Sequence, residues 1–284
     1  MKLTIITINY NNASGLRKTM ESVFVQTSQD FEYIVIDGGS TDISSQVINQ
    51  MCLMKSDASL KGEVIVNGIQ VRWISEKDNG IYHAMNKGIQ LAQGDYVQFL
   101  NSGDILASSN VIGTMIATLP NCSIYYGNML KYMPNGKLFR DTSGQGSITM
   151  FTFYKGAMNH SPAFIKRSLF EKYGLYDENL KIVSDWKWYL NVVGLQNESV
   201  KYTNLDVTCF DMTGISNTNS ILEKQERRMV LEELIPKSVL ADYDKHYLDI
   251  ERIIRINKYK IPKLFFLLFE RVIFKFEKSF KKSI

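Results

Sequence analysis

The sequence predicts an α/β fold: a mostly parallel central sheet flanked by helices, followed by a helical C-terminal extension. Three observations predict it. The first 120 residues alternate strand-like and helix-like segments about four times. The strand-like runs at 3–8 and 33–36 are nearly continuous apolar stretches, the pattern of strands buried on both faces. Polar residues recur where each run stops, at 9–12, 37–42, 76–80 and 101–104. Short connections between such strands imply right-handed crossovers. Open sheets of this kind hold ligands at the carboxyl ends of their strands.

The elements follow in order. Residues 3–8 form a central strand and 9–15 a polar turn. Apolar residues at 16, 20, 23 and 24 have helical spacing and predict a helix over 16–26. A second strand covers 33–36 and a second helix 44–54. Residues 64–74 read as one or two strands, with 71–74 the better one. A helix over 81–92, a strand over 96–100 and a helix near 111–119 complete this half. The stretch 121–220 is less regular, with short strands at 123–126 and 137–139 and helices at 166–173 and 183–193. Residues 221–284 read as mainly helical. Pro262 either breaks the last helix or sits in its first turn.

Composition narrows the function classes. Apolar residues make up 45% and charged residues 22% of the chain, ordinary for a globular protein with a core. The formal charge of +4 is unevenly spread: residues 255–284 carry nine Lys or Arg against two Glu, so the remainder is net acidic. That argues against nucleic acid as a partner. Cys52, Cys122 and Cys209 show neither metal spacing nor a disulfide framework, and a reducing compartment is expected. No leader peptide is expected at the N-terminus, and the longest apolar run, 264–269, is far short of the ~20 residues of a spanning helix.

Phosphate-loop, dinucleotide, nucleophile-elbow and zinc-protease motifs are all absent. What stands out is carboxylates at strand ends. In FLNSGD (99–104) an apolar strand runs out through polar residues onto Asp104. A Mg2+ or Mn2+ ion needs few protein ligands when a substrate diphosphate supplies the others. Asp104 is therefore a candidate metal anchor, with a turn or a helix cap as the alternatives.

Five motifs occur in order: TIITINYNN (4–12), IVIDGGSTD (34–42), SEKDNGIYHAMNKGI (75–89), GDYVQFLNSGD (94–104) and HSPAFIKRSLFEKYGLYDENLKIVSDWKWYL (160–190). Together they resemble the family 2 glycosyltransferases of the GT-A fold, whose central sheet is Rossmann-like, over roughly residues 1–215. The nearest likeness is to bacterial enzymes that build surface or extracellular polysaccharides. The resemblance implies a GT-A domain over 1–220, with a nucleotide-sugar half (1–120) and an acceptor half (121–220), and an extension over 221–284.

The resemblance also implies roles. Tyr10 would stack on the nucleotide base, with Ile8 contacting it through the backbone. Asp37 would help hold the base or ribose, with Gly38 beside it; Asp78, Asn86 and Lys87 would line the donor pocket. Asp104 would hold the Mn2+ or Mg2+ that bridges the diphosphate, and Gly103 would let ribose and metal approach the backbone. Asp185 would be the catalytic base of an inverting transfer, and His160 and Trp186 would shape the acceptor site. Each residue also has an ordinary reading as core, turn or cap; a histidine beside Ser-Pro is equally a packing residue.

The chain departs from the family pattern in three places. Gly38 and Gly103 stand where the family often has Asp, and His83 stands in GIYHAMNKG where Asp is common.

The expected activity is transfer of a sugar from a nucleotide sugar, a UDP-sugar by preference, to a saccharide or lipid-linked saccharide acceptor. A catalytically inactive binding protein on this fold and a sugar nucleotidyltransferase are the rivals. Residues 258–284 interleave Lys with an apolar face at near-helical intervals. They read either as a packed helix or as an anchor to an anionic membrane. The second reading places the protein in the cytoplasm, peripherally on the inner face of the membrane.

Overall fold

In the computed structural model the described residues are 2–52, 60–119, 121–132, 137–141, 145, 148–212 and 219–280. They form ten strands and ten α-helices. The first half contains β1 (Leu3–Asn9), α1 (Ala13–Phe24), β2 (Phe31–Asp37), α2 (Ser44–Met51), β3 (Lys61–Val66) and β4 (Ile69–Ser75). α3 (Ile81–Leu91), β5 (Tyr96–Phe99), β6 (Ile105–Leu106) and α4 (Val111–Thr118) follow. The second half contains β7 (Ile124–Tyr132), β8 (Leu138–Asp141), α5 (Met150–Lys155), β9 (Ala163–Lys166), α6 (Ser168–Tyr173), α7 (Ser184–Tyr189) and β10 (Val200–Phe210). The C-terminal helices are α8 (Ser220–Leu234), α9 (Lys237–Asn257) and α10 (Lys260–Phe280).

One sheet runs in the order β3-β4-β2-β1-β5-β9-β7-β10-β6, with β8 on β7. Its centre, β4-β2-β1-β5, is parallel. Every residue of β1, β2 and β5 is buried, which is why these strands show no alternation. α1 starts where the Asn12 side chain accepts from Gly15 N at 3.0 Å, an N-cap. Leu16, Met20 and Val23 form its buried stripe.

Residues 64–74 are an antiparallel hairpin turning at Asn67 and Gly68, φ 49° and 82°; Asn-Gly supplies the left-handed pair such a turn needs. Three strands differ from expectation. β9 precedes α6, in the stretch just before the expected helix, and is inserted antiparallel between β5 and β7. β10 is long, bulged and parallel to β7. β7 continues to Tyr132. The expected helix 183–193 is α7 followed by a π-turn, Leu190–Leu195.

Two compact units divide the chain, Met1–Val230 and Leu231–Ile284. The divide falls inside α8, later than the expected 220/221, so the first part of α8 belongs with the sheet.

Candidate active site

The register Asn9↔Asp37↔Ser75 across β1, β2 and β4 brings three polar strand ends into a row. Asp37 is fully buried. Its carboxylate accepts from Asn9 Nδ2 at 2.7 Å, Ser40 Oγ at 2.6 Å, Ser75 Oγ at 2.6 Å and Ser40 N at 3.1 Å. Asn9 Oδ1 in turn accepts from Ser102 Oγ at 2.8 Å. Four protein donors already occupy Asp37, so its carboxylate ties the ends of β1, β2 and β4 together, where the expectation had it facing the base or ribose. Ile8 is similar. Its side chain is buried and its carbonyl accepts from Ser102 N at 3.1 Å.

Tyr10, Gly38 and Asp78 do converge. A Cβ on Gly38 would lie 3.1 Å from Asp78 Oδ2 and 3.3 Å from Tyr10 Cδ2, and Tyr10 is 68% exposed. Asp78 Oδ1 accepts from Lys87 Nζ at 2.5 Å and lies 3.1 Å from His83 Nδ1. Asp78 Oδ2 is buried with no hydrogen-bond partner among the described residues. Such an oxygen beside an exposed aromatic face suits a ligand N–H. Burial opposes the charge on Lys87, but its bonds to Asp78 and Glu76 outweigh that and raise its pKa. Asn86 differs from expectation: its amide donates to Tyr176 O and Glu178 Oε1 and accepts from Tyr176 N, tying α3 to residues 176–178 and away from Tyr10, Gly38 and Asp78.

Beyond β5 the chain still follows β1, with Leu100 N on Ile6 O and Ser102 N on Ile8 O. It then turns at Gly103, whose φ of +106° favours glycine. A Cβ there would meet Asp211 Oδ2 at 2.4 Å, so what closely approaches Gly103 is a carboxylate of the protein. Asp211 N also donates to Asp104 Oδ1 at 2.8 Å. Asp104 is 3% exposed. Burial is the main cause that pushes its pKa up to about 7; the Asp211 N–H opposes the rise and the Asp211 charge adds to it.

A raised carboxyl pKa has a sign that can be tested. With a folded value near 7 and an ordinary value of 3.8, the folded state holds the proton more tightly. Stability from this group is full below pH ~4 and is lost as pH rises through ~7. The loss is on the order of 4 kcal/mol. Asp104→Asn therefore raises the melting temperature of the metal-free protein at pH 8, and the gain shrinks towards pH 4. Thermal unfolding across that range checks it; a gain independent of pH contradicts it.

Asp104 and Asp211 line a cleft of about 510 Å³ together with Asp185, His160, Trp186, Tyr82 and Arg227. Asp185 stands in the first turn of α7, with the Tyr82 hydroxyl 2.9 Å from its Oδ1. His160 stacks on Phe99 with centroids 5.0 Å apart and contacts the Tyr176 hydroxyl at 2.9 Å. Burial pushes its pKa down, only partly offset by Asp185, so it is a neutral wall of the cleft. Trp186 is 3% exposed and donates Nε1 to Gly156 O at 2.8 Å and Phe153 O at 3.2 Å.

Among the described residues no group of three or more His, Cys, Asp or Glu could hold a metal unaided. Asp104 and Asp211 do offer hard oxygen donors and a carboxylate whose charge burial disfavours. That fits Mn2+ or Mg2+ completed by phosphate oxygens.

Residues 4–174, more than half of the chain, match the family described as glycosyl transferase family 2. The protein belongs to glycosyl transferase family 2. It is 26% identical over 226 residues to a PGL/p-HBAD biosynthesis glycosyltransferase of Mycobacterium bovis, covering 78% of this chain and 81% of that one. It is 30% identical over 221 residues to an uncharacterized glycosyltransferase of Mycobacterium tuberculosis, covering 76% and 77%.

Among solved structures it resembles S. aureus TarS in complex with UDP-GlcNAc, with TM-score 0.62 and 16% identity over 81% of this chain and 64% of that one. It also resembles the mannosyltransferase PcManGT of Pyrobaculum calidifontis in complex with GDP-Man and Mn2+, with TM-score 0.59 and 15% identity over 80% and 60%. At such identities the likeness shows the shared GT-A fold alone.

Several residues in and around the cleft were given no role by the sequence reading: Asn9, Tyr82, Ser102, Asp211, Glu226 and Arg227. Asn9, Tyr82 and Ser102 lie inside the motifs TIITINYNN, SEKDNGIYHAMNKGI and GDYVQFLNSGD and could have been found there. Asp211, Glu226 and Arg227 lie beyond the family match, in stretches without a pattern.

Proposed function

We propose that the protein is an inverting, metal-dependent glycosyltransferase of bacterial polysaccharide biosynthesis. It moves a sugar from a nucleotide sugar, a UDP-sugar by preference, to a saccharide acceptor carried on a lipid. The observation that carries this reading is that Asp104 and Asp185 line one cleft at the carboxyl edge of the sheet. The nucleotide-sugar and Mn2+ complexes of the two solved relatives support it.

Tyr10 stacks on the base, and the unpartnered Asp78 Oδ2 accepts a base or ribose proton. Lys87 holds Asp78 in place. Asp104, with Asp211 beside it, would hold the Mn2+ or Mg2+, which neutralises charge on the departing diphosphate. Asp185 accepts the proton of the acceptor hydroxyl as that oxygen attacks C1. The C1–O bond to the diphosphate breaks, and the diphosphate leaves with the electron pair. One displacement inverts the anomeric centre. Neutral His160 and Trp186 shape the acceptor side. A screen of nucleotide sugars for thermal stabilisation with Mn2+ tests the reading: one nucleotide sugar stabilises the protein only when Mn2+ is present. Failure of all nucleotide sugars sinks it.

The proposal extends to an anionic membrane at residues 258–284. α10 exposes Leu264, Phe265, Leu268 and Val272 by 48–69%, and Phe276 and Phe280 continue their spacing in the sequence. No helix among the described residues is long and apolar enough to cross a membrane. A helix lying in the interface needs only an apolar face bordered by cations, each worth ~1 kcal/mol near an anionic surface. On this reading the enzyme works in the cytoplasm, on the inner face of the membrane where lipid-linked acceptors are presented. The full chain floats with anionic liposomes at ~0.1 M salt, and a chain ending at Asn257 does not. Equal behaviour of the two refutes the anchor.

A further inference from the structure

α8 reaches into the catalytic unit with a carboxylate that the family match does not include. Glu226 is 5% exposed. It accepts three consecutive backbone N–H groups: Lys181 N at 2.7 Å, Ile182 N at 2.9 Å and Val183 N at 3.2 Å. These residues lead directly into α7 and Asp185. From the other side, the Tyr82 hydroxyl lies 2.5 Å from Ile182 O and 2.9 Å from Asp185 Oδ1. The segment is thus tethered through its N–H groups by α8 and through a carbonyl by α3.

The next residue of α8 meets the residue that follows Asp185. The Arg227 guanidinium lies 4.7 Å over the Trp186 ring, and its Nη1 donates to Gly156 O at 2.7 Å. Gly156 O is also the acceptor of Trp186 Nε1. A buried carboxylate held by three backbone donors is a strong, directional restraint. A base must stand within about 3 Å of the proton it takes, so a small displacement of this segment costs rate.

We infer that Glu226 is a positioning residue for transfer: through the backbone of residues 181–183 it fixes where Asp185 is presented to the acceptor. This rests on the reading of Asp185 as the base. It makes the start of α8 a part of the active site rather than of an appended tail.

Two variants of the full chain test it, Glu226→Asp, which keeps the charge, and Glu226→Gln, which keeps the length but turns one acceptor into a donor facing backbone N–H groups. The probes are UDP with Mn2+ for donor-site occupancy, and UDP release from the UDP-sugar chosen by thermal stabilisation for turnover. Expected is unchanged UDP affinity and site number, with kcat per occupied site falling at least tenfold in Glu226→Gln and less in Glu226→Asp. Amide hydrogen exchange speeds up at 181–183 but not in β1 or β2. A kcat within about twofold of wild type in Glu226→Gln, with Asp185→Asn inactive, overturns the inference and leaves the base in place. A fall in activity that tracks loss of UDP sites one for one shows that Glu226 only holds the fold, and also overturns it. An active Asp185→Asn removes the base and the inference with it.

Discussion

Asp185→Asn loses turnover by ~10²-fold or more, the usual range for removal of a general base, while nucleotide-sugar affinity stays at its wild-type value. That loss equals about 2.7 kcal/mol of barrier. The substitution separates chemistry from structure because the site around Asp185 accepts an amide. The Tyr82 hydroxyl beside Oδ1 can donate to a carboxamide oxygen as it does to a carboxylate. Burial holds the Tyr82 pKa well above its ordinary value, so it remains a donor at any working pH. The restraints on residues 181–183 come from Glu226 and from the Tyr82 hydroxyl on Ile182 O, and both remain in the variant. What the variant lacks is a place for the acceptor proton. The cluster of Tyr10, Gly38 and Asp78, the donor pocket of the proposed reading, is built by other elements and is unaffected. Steady-state kinetics with UDP release as the readout, alongside calorimetric donor affinity, checks both halves. Turnover within about threefold of wild type would mean that another group takes the proton.

The sheet's parallel centre was legible because burial of both strand faces leaves unbroken apolar runs, as in β1 and β2. The convergence of polar ends was legible for the same reason: strand length sets where each run stops. β9 was not legible, since four residues, Ala163–Lys166, are too few to show a period. β10 was hidden by its bulges, which interrupt the alternation between Tyr202 and Thr208.

In the site, position along the chain identified which side chains stand at the edge but not what fills them. Asp37 ends β2 and Asp78 lies just beyond β4; four protein donors occupy the first, while the second keeps an unpartnered oxygen. That difference depends on Asn9, Ser40 and Ser75, which meet Asp37 only in the folded register. Glu226 was illegible for another reason. It bonds backbone N–H groups, which every residue but proline carries, so its partners leave no mark in the sequence.

Asp104→Ala abolishes Mn2+-dependent UDP binding and leaves the fold intact. The second half of that expectation is the less obvious one, since Asp104 is 3% exposed. Two effects compete. The substitution removes the acceptor of Asp211 N; Asp211 is only half-buried, so the loss stays near the net worth of one hydrogen bond, about 1 kcal/mol. It also removes a carboxylate that burial holds near pKa 7; at pH 8 keeping that group ionised costs on the order of 4 kcal/mol. At pH 8 the relief exceeds the loss, so the melting temperature does not fall and a loss of function is not a loss of structure. On the proposed reading the remaining Asp211 carboxylate would be one protein ligand where two would stand, and without the metal the diphosphate would face Asp211 and Asp185 with its charge uncompensated. Mn2+ titration followed by electron paramagnetic resonance, with and without UDP, reads the metal directly and independently of turnover. Mn2+-dependent UDP affinity within about threefold of wild type would remove Asp104 from the metal site, and would leave its buried carboxylate as a costly element of the turn with no chemical role.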